Sequence, residues 1–201
     1  MFIVQSVSVK KTRLRRHVAE LVAAAPAEQR AVWDRVIQSN LLADAIYHGS
    51  KVIHCYLALP GEVATERLVR TVLSDGKRLI VPVVAAGDRE LRHAEITDYD
   101  GELAAGYGGI LEPRDGTGRR VDASEVDLFI IPGVVFDRRG YRLGRGLGYY
   151  DRCLGGVKGR AVICALAYEL QVLEEVPAEA HDVPVDYIVT ERRVIEIKGK
   201  G

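Results

Sequence analysis

The sequence is poor in cysteine and has no net charge. Its 201 residues include only Cys55, Cys153 and Cys164, with no C-x-x-C spacing. Three isolated cysteines argue against a disulfide framework or a zinc site, so we predict reduced thiols in a reducing compartment. Basic and acidic residues balance at 28 each. This balance argues against a nucleic-acid or membrane-surface partner, and any positive site must be a local concentration of basic residues.

Long apolar runs, repeats and linkers are also missing. No segment approaches the run of about 18 apolar residues that a membrane span requires, and the first residues contain no long apolar stretch. We therefore expect a cytoplasmic protein with no membrane contact. Apolar residues make up 48% of the chain and charged residues 28%. Because that composition is typical of globular proteins, we predict one domain over residues 1–201.

Short apolar strands alternate with helical patterns along the chain. Helical periodicity covers residues 9–25, 28–47 and 65–74, and the strand patterns cover 52–57, 78–84, 128–132, 161–167 and 187–190. This alternation indicates an α/β fold with a largely parallel sheet buried on both faces. Residues 85–118 are rich in Gly, Asp and Arg, which predicts irregular or hairpin structure over the site.

The most informative stretch runs from residue 132 to residue 152. After an apolar strand it holds a G-x-G-x-G loop and charged and aromatic neighbours: Arg142, Gly144, Arg145, Gly146, Leu147, Gly148, Tyr149, Tyr150, Asp151 and Arg152. Glycines let backbone N–H groups approach phosphate oxygens, arginines offer positive forks, and an aspartate can hold the metal that accompanies phosphates. The spacing is neither a P-loop nor a Rossmann fingerprint. We predict a phosphate site where this loop enters a helix.

Other polar residues stand near this stretch in the expected fold, each with a structural alternative. Glu62 follows a buried strand and would suit a ring N–H system, or it would simply begin a helix. Asp182 and Asp186 precede the last strand, and either would join Asp151 on a metal or remain a solvated loop residue. Lys11 and Arg15 lie four residues apart on one helix face, where they would grip phosphate or face solvent.

Taken together, these motifs resemble the 5-formyltetrahydrofolate cyclo-ligase family, also called 5,10-methenyltetrahydrofolate synthetase. The central motif is D-L-x-x-x-P-G-x-x-F-D-x-x-G-x-R-L-G-x-G-x-G-Y-Y-D-R over residues 127–152. Shorter motifs occur in the family's order: K-x-x-L-R at 11–15, Y-x-x-x-x-x-E-V-x-T at 56–65, G-K-x-x-x-x-P at 76–82, G-I-x-E-P at 109–113 and H-D-x-x-x-D at 181–186. The resemblance therefore covers nearly the whole chain.

The resemblance implies a fold and a reaction. The fold would be a three-layer α/β/α domain of the NagB/RpiA/CoA-transferase type with a mostly parallel sheet. The reaction would convert 5-formyltetrahydrofolate and ATP, with Mg²⁺, into 5,10-methenyltetrahydrofolate, ADP and phosphate. The protein is expected to act as a monomer.

The resemblance also implies roles for individual residues. ATP would be bound by the residues Lys11, Arg15, Gly144, Arg145, Gly146, Leu147, Gly148, Tyr149 and Tyr150. Arg145 would be the catalytic group that neutralises the transferred phosphoryl, and Leu57, Glu62 and Tyr149 would contact the folate. Asp151 and Asp182 would hold Mg²⁺. We add Arg142 as a phosphate contact from its charge and position.

The chain departs from the family pattern at Leu147, where Lys or Gly is common. A missing lysine would remove one charge-assisted contact and leave a folate- or nucleotide-binding paralogue with lost or altered turnover as an alternative. Relationship to sugar-phosphate isomerases or CoA-transferases is a second alternative, which rests on fold analogy. Residues 85–108 contain no tryptophan to cover the pterin ring, so Tyr99 or Tyr107 would take that position.

Overall fold

The first three helices form one end of the chain and lead into the central sheet. In the computed structural model, which describes residues 7–84, 90–106, 111–114 and 116–197, α1 is Val7–Ala24, α2 is Ala27–Leu42 and α3 is Ala45–Gly49. The predicted helix over 28–47 is thus two helices. Asp44 separates them, because its side chain accepts a hydrogen bond from the N–H of Ile46 and begins a new helix there.

The remaining elements alternate only in part: α-helices separate some of the strands, whereas elsewhere several strands follow one another. After α3 the α-helices and strands are β1 (Val52–Cys55), α4 (Glu66–Ser74), β2 (Arg78–Val84), β3 (Leu91–Ile96), α5 (Tyr99–Glu102), β4 (Leu103–Ala105), β5 (Leu111–Pro113), β6 (Arg119–Arg120), β7 (Leu128–Ile131), β8 (Val135–Asp137), β9 (Arg142–Leu143), α6 (Tyr149–Gly155), β10 (Val162–Leu166), β11 (Val172–Leu173), β12 (Tyr187–Val189) and β13 (Val194–Glu196). None of the helices within these described ranges has the length and apolar character needed to cross a membrane.

Eight strands form the central sheet in the order β13-β12-β10-β7-β1-β2-β3-β6. The five inner strands from β12 to β2 pair in parallel, and β13, β3 and β6 join antiparallel at the two edges. Ile53 on β1 lies beside Leu79 of β2 on one side and Leu128 of β7 on the other. The predicted mostly parallel α/β sheet is confirmed.

Two hydrophobic clusters cover the two faces of this sheet. Along β7, Leu128 and Ile130 enter the cluster that includes α2 and α4, whereas Phe129 and Ile131 enter the cluster that includes Leu154 of α6. Successive side chains of a strand point to opposite faces, so four consecutive apolar residues require a cover on each side. The arrangement is a sheet between helical layers.

The described parts of residues 85–118 contain antiparallel strand pairs, which agrees with the hairpin alternative of the prediction. The strand β3 pairs with β2 over six residue pairs, and β4 pairs with β5 in a separate two-stranded sheet. A third sheet has the order β11-β8-β9, and β8 and β9 connect β7 with the glycine loop along the chain. Tyr107, Gly109 and Ile110, which the sequence analysis used, lie outside the described residues.

Candidate active site

The glycine loop forms one wall of a charged cleft. The loop runs from the end of β9 to the start of α6, and the cleft has a volume of about 550 Å³. Its lining comes from α1, the loop, α6 and the segment before β12: Ser8, Lys11, Arg15, Arg142, Leu143, Gly144, Gly146, Leu147, Gly148, Asp151, Arg152, Glu179, His181 and Asp182. Most residues predicted for ATP phosphates and Mg²⁺ therefore meet in one place.

The loop backbone depends on two of its three glycines. Gly146 has φ +103° and Gly148 has φ +66°, both in the region that side chains with a Cβ avoid. Gly148 also immediately precedes α6. Gly144 has ordinary backbone angles and open space around it. Leu147 stands between the two constrained glycines, and 67% of its surface is exposed.

Lys11 is held at the cleft by two carboxylates. Its Nζ donates to Glu179 Oε2 at 2.7 Å and to Asp182 Oδ2 at 3.0 Å, and the residue is only 8% exposed. Burial acts to lower the pKa of Lys11, but the hydrogen bonds to Glu179 and Asp182 outweigh burial and raise it. Lys11 therefore lines the cleft as a charged group that is already paired with two carboxylates.

Asp182 is held by further contacts besides Lys11. Its Oδ2 also accepts the N–H of Glu179 at 2.8 Å, while His181 Nε2 lies 3.6 Å from Oδ1. Burial acts to raise the pKa of Asp182, but the hydrogen bonds from the Glu179 backbone and from Lys11 outweigh it and lower the pKa. Asp182 is thus a carboxylate with one oxygen fixed and the other directed away from those donors.

Arg15 connects α1 with the glycine loop. Its Nε donates to the carbonyl oxygen of Gly144 at 2.7 Å. Lys11 and Arg15 both line the cleft from α1, as the four-residue spacing predicts. The contact also fixes the start of the loop, because Gly144 has no side chain through which to be held.

Arg142 lies at the base of the cleft with partners inside the protein. It is 6% exposed, and its guanidinium donates to the carbonyl oxygen of Val183 at 2.6 Å and to Asp151 Oδ1 at 2.9 Å. Burial lowers the pKa of Arg142, and the charge of Asp151 opposes that shift. The sequence analysis placed Arg142 on phosphate; in the structure Arg142 lines the cleft, and each terminal nitrogen of its guanidinium donates one hydrogen bond to a protein oxygen.

Arg145 points out of this cleft and reaches Glu62. Its Nε donates to Glu62 Oε1 at 3.1 Å and its terminal nitrogen donates to the Pro60 carbonyl at 3.3 Å. The arginine side chain is 52% exposed, whereas Glu62 is mostly covered. Glu62 is further held because its Oε2 accepts the N–H of Leu59 at 2.9 Å. Arg145, which was predicted to neutralise the transferred phosphoryl, is therefore in contact with Glu62, which was predicted to bind the folate.

The predicted aromatic and apolar contacts occupy different environments. Leu57 is buried in the cluster on the α2 and α4 face, and Tyr150 packs against the cluster on the α6 face. Tyr149 begins α6 with the Arg152 guanidinium 5.4 Å from its ring centre. Tyr99 lies under the Arg70 guanidinium, 4.3 Å from the ring centre. None of these four side chains lines the charged cleft in the described ranges.

The donor set of the cleft fits a magnesium ion carried by a nucleotide. Asp151 and Asp182 both line the cleft, and each uses one carboxylate oxygen for the protein hydrogen bonds given above. Mg²⁺ commonly takes one or two carboxylates and completes its shell with phosphate oxygens and water. Over residues 7–84, 90–106, 111–114 and 116–197 no group of three or more His, Cys, Asp or Glu is placed to hold a metal ion. Asp186 instead accepts the N–H of Ile163 at 2.7 Å.

Two important residues escaped the sequence analysis. Glu179 pairs with Lys11, and its position two residues before the H-D motif was an available signal. Asp137 is fully buried at the end of β8, where it accepts the N–H groups of Arg139, Tyr141 and Val176. The F-D pair of the central motif indicated Asp137, but a sequence does not show which backbone groups a buried carboxylate will accept.

The mostly parallel sheet, the glycine loop and the charged cleft are typical of the class of α/β enzymes that bind phosphorylated small molecules. The family model for the 5-formyltetrahydrofolate cyclo-ligase family matches residues 7–191. The chain belongs to this family.

Similar proteins extend over almost the whole chain. A 5-formyltetrahydrofolate cyclo-ligase of Mycolicibacterium smegmatis is 30% identical and covers 90% of both chains. The mouse 5-formyltetrahydrofolate cyclo-ligase is 28% identical, with 92% of this chain and 96% of the mouse protein covered. The solved 5,10-methenyltetrahydrofolate synthetase of Aquifex aeolicus is 36% identical, has a TM-score of 0.83 and covers 95% and 94% of the two chains. The enzyme class and the fold that the sequence predicts are thereby confirmed.

Proposed function

We propose that the protein converts 5-formyltetrahydrofolate to 5,10-methenyltetrahydrofolate in a reaction that consumes ATP with Mg²⁺ and releases ADP and phosphate. In this reaction the γ-phosphoryl group passes to the formyl oxygen, and N10 of the folate then closes the ring. The family membership supports the overall conversion. The positions of the charged residues support the use of ATP.

The observation that carries the proposal is the contact between Arg145 and Glu62. Arg145 belongs to the glycine loop, which has phosphate-binding character, and Glu62 belongs to the turn after β1. A phosphoryl group can reach a formyl oxygen only if nucleotide and folate are neighbours. The 3.1 Å contact between the loop and the turn supports the placement of nucleotide and folate next to each other. The cleft for phosphates would lie on one side of Arg145, with Glu62 on the other.

The charges of the cleft suit a polyphosphate chain. Lys11 and Arg15 approach from α1, and Arg152 lines the opposite wall. Arg145 is half exposed, so its side chain is able to turn from Pro60 and Glu62 toward a transferred phosphoryl. Positive groups placed where charge develops stabilise the transition state more than the bound substrates, which is the requirement for catalysis.

Phosphorylation solves the chemical difficulty of the formyl group. The formamide nitrogen donates into the carbonyl, so N10 alone would have to expel an oxide. After transfer of the γ-phosphoryl, the formyl oxygen is part of a phosphate and becomes a good leaving group. N10 forms the new C–N bond, loses its proton, and the C–O bond breaks as phosphate departs. The protein then contributes positioning and charge neutralisation.

Asp151 and Asp182 would hold the divalent cation in this proposal. The ion would supply positive charge to the β- and γ-phosphate oxygens. The two carboxylates lie in the same cleft as Lys11 and Arg15. Their fixed hydrogen bonds orient them before any ligand arrives, which reduces the ordering cost of binding.

A coupled absorbance experiment tests the activity. Formation of the methenyl product is followed by its absorbance in four reactions: the complete mixture, and mixtures without ATP, without Mg²⁺ or without protein. The proposal predicts product only in the complete mixture, with one ADP formed for each product. A flat trace from folded protein that still binds 5-formyltetrahydrofolate by calorimetry would instead favour a binding paralogue, the alternative that Leu147 raises.

A further inference from the structure

Arg142 carries a charge at a place where solvent does not reach it. Only 3% of its side-chain surface is exposed, whereas Arg145 three residues later is half exposed. A buried charge is costly unless it is paired and hydrogen-bonded. Arg142 meets this condition entirely within the protein, by donating to Val183 O and Asp151 Oδ1. Both terminal nitrogens of the guanidinium are therefore engaged with protein oxygens before any ligand is present.

The partners of Arg142 also contact each other. The N–H of Val183 donates to Asp151 Oδ1 at 3.2 Å, so this oxygen accepts both Val183 and Arg142. Arg142 completes the triangle through its 2.6 Å bond to the Val183 carbonyl. Within the described part of the chain, the other oxygen of Asp151 accepts no hydrogen bond. The triangle therefore turns one oxygen of Asp151 inward and leaves the second for a ligand of the cleft.

The triangle reaches the second acidic residue through the backbone. Val183 follows Asp182 directly, and Asp182 is fixed on its other side by Lys11 and by the N–H of Glu179. Asp151 is carried by α6, whereas Asp182 is carried by the segment before β12. Arg142 donates to both of these segments at once, so it sets the spacing between their carboxylates.

We propose that Arg142 is a positioning residue that holds Asp151 and Asp182 in register for a divalent cation, instead of donating directly to phosphate. The inference rests on the proposed function, because it assumes that the two carboxylates receive the cation of a metal–nucleotide complex. It assigns Arg142 to the metal side of the cleft and leaves phosphate to Lys11, Arg15 and Arg145.

Metal binding and nucleotide binding, measured separately, test the assignment. In Arg142→Lys a single ammonium keeps the charge but cannot donate along both directions of the guanidinium fork. We expect Mn²⁺ binding, followed by electron paramagnetic resonance with a non-hydrolysable ATP analogue present, to weaken by about tenfold or more. Binding of the same analogue in EDTA, followed by calorimetry, should change by less than about threefold. The reverse pattern, with metal-free analogue binding lost and Mn²⁺ binding kept, would overturn the proposal.

A double variant tests whether Arg142 and Asp151 act together on Mn²⁺ binding. Asp151→Asn keeps the shape of the side chain, and in the double variant its effect on Mn²⁺ binding should add only in part to that of Arg142→Lys, because both changes break one triangle while Asp182 still depends on Arg142. Fully additive effects would contradict the proposal. Arg138→Lys is the matched control, since Arg138 is an exposed arginine of the same hairpin that pairs with Glu174 outside the cleft; its Mn²⁺ and analogue binding should equal those of the unchanged protein.

The unchanged protein separates this inference from the proposed function. If it binds neither the ATP analogue nor 5-formyltetrahydrofolate, both proposals fail. If it binds both ligands and forms the methenyl product, but Arg142→Lys leaves Mn²⁺ binding intact, only the positioning role is refuted.

Discussion

Arg145 of the glycine loop contacts Glu62, so in the proposed reaction it would stand between the two substrates, which makes it the most informative single residue to change. Arg145→Ala should lower kcat by about tenfold or more, because the guanidinium is proposed to neutralise the phosphoryl in flight. The folded structure should persist, since the side chain is half exposed and its ion pair with Glu62 is partly in solvent. Steady-state kinetics with both substrates saturating, together with a urea unfolding curve, measures both effects.

The control for this change is Arg138→Ala, an exposed arginine outside the cleft. It should retain normal kcat and KM values. Equal turnover in Arg145→Ala and Arg138→Ala would show that Arg145 has no catalytic role, even though the family assignment would stand.

Leu147 offers a test by adding a charge instead of removing one. It is exposed on the loop at the cleft, so Leu147→Lys has room and should cost little stability. A new charge-assisted contact is worth about 1.5–3 kcal/mol, so the KM for ATP should fall by about tenfold. Leu21→Lys on α1 is the control, because Leu21 is another exposed leucine that does not line the cleft. An unchanged KM in Leu147→Lys would mean that this position does not face phosphate.

Sequence reasoning predicted which residues gather at the cleft better than it predicted their partners. Lys11, Arg15, Asp151 and Asp182 do share one cleft. They were identified because they lie in the family's motifs, which occur here in the family's order. The partner of Arg142 was not predictable in this way, because burial decides whether an arginine faces a ligand or a carboxylate, and burial depends on contacts between distant segments.

At the scale of the element, the glycine loop depends on particular backbone angles. Gly148→Ala should destabilise the protein by about 1–3 kcal/mol, because the residue has a positive φ. A Cβ there would also lie 3.1 Å from the Arg152 guanidinium. Gly144→Ala is the control within the same loop, with ordinary angles and no atom within 4 Å of the added carbon. Urea unfolding should separate the two variants, and equal free energies of unfolding would contradict this account of the loop.

Element boundaries show where local patterns lose their predictive value. The inner strands were predictable because four-residue apolar runs such as β7 must be buried on both faces. The break at Asp44 was less visible, since the apolar periodicity continues into α3 while the side-chain cap interrupts the backbone. The strand β3 was missed because its alternating residues include Arg92 and His93, and its pairing with β2 supplies most of its stability.

For the whole molecule, two histidines packed together make stability depend on pH. Burial, assisted by the neighbouring His93, lowers the pKa of His54 well below its usual value, and burial also lowers the pKa of His93. Their rings lie 5.2 Å apart. Below about pH 6.5 the two histidines bind protons in the unfolded chain but stay neutral in the folded protein. The free energy of unfolding should therefore fall by up to about 1.4 kcal/mol per histidine for each pH unit.

Urea unfolding between pH 7.5 and 5.5 measures this dependence. His93→Gln should reduce the slope of the unfolding free energy against pH. The carboxylates with lowered pKa values titrate below this window and do not contribute to the slope. A slope that is unchanged in His93→Gln would contradict the assignment to this pair.

The single domain over residues 1–201, the monomeric state and the cytoplasmic location stay predictions. A monomer with one domain should unfold in one transition whose midpoint does not depend on protein concentration. Two transitions, or a midpoint that rises with concentration, would contradict the first two expectations.

The fate of the formyl oxygen tests the central claim most directly. If ATP phosphorylates that oxygen, 5-formyltetrahydrofolate labelled with ¹⁸O in the formyl group must deliver the label to the released phosphate, one atom for each methenyl product. Mass spectrometry of the phosphate measures the transfer. The account predicts labelled phosphate in equal amount to product and unlabelled ADP; product formation with unlabelled phosphate would contradict it.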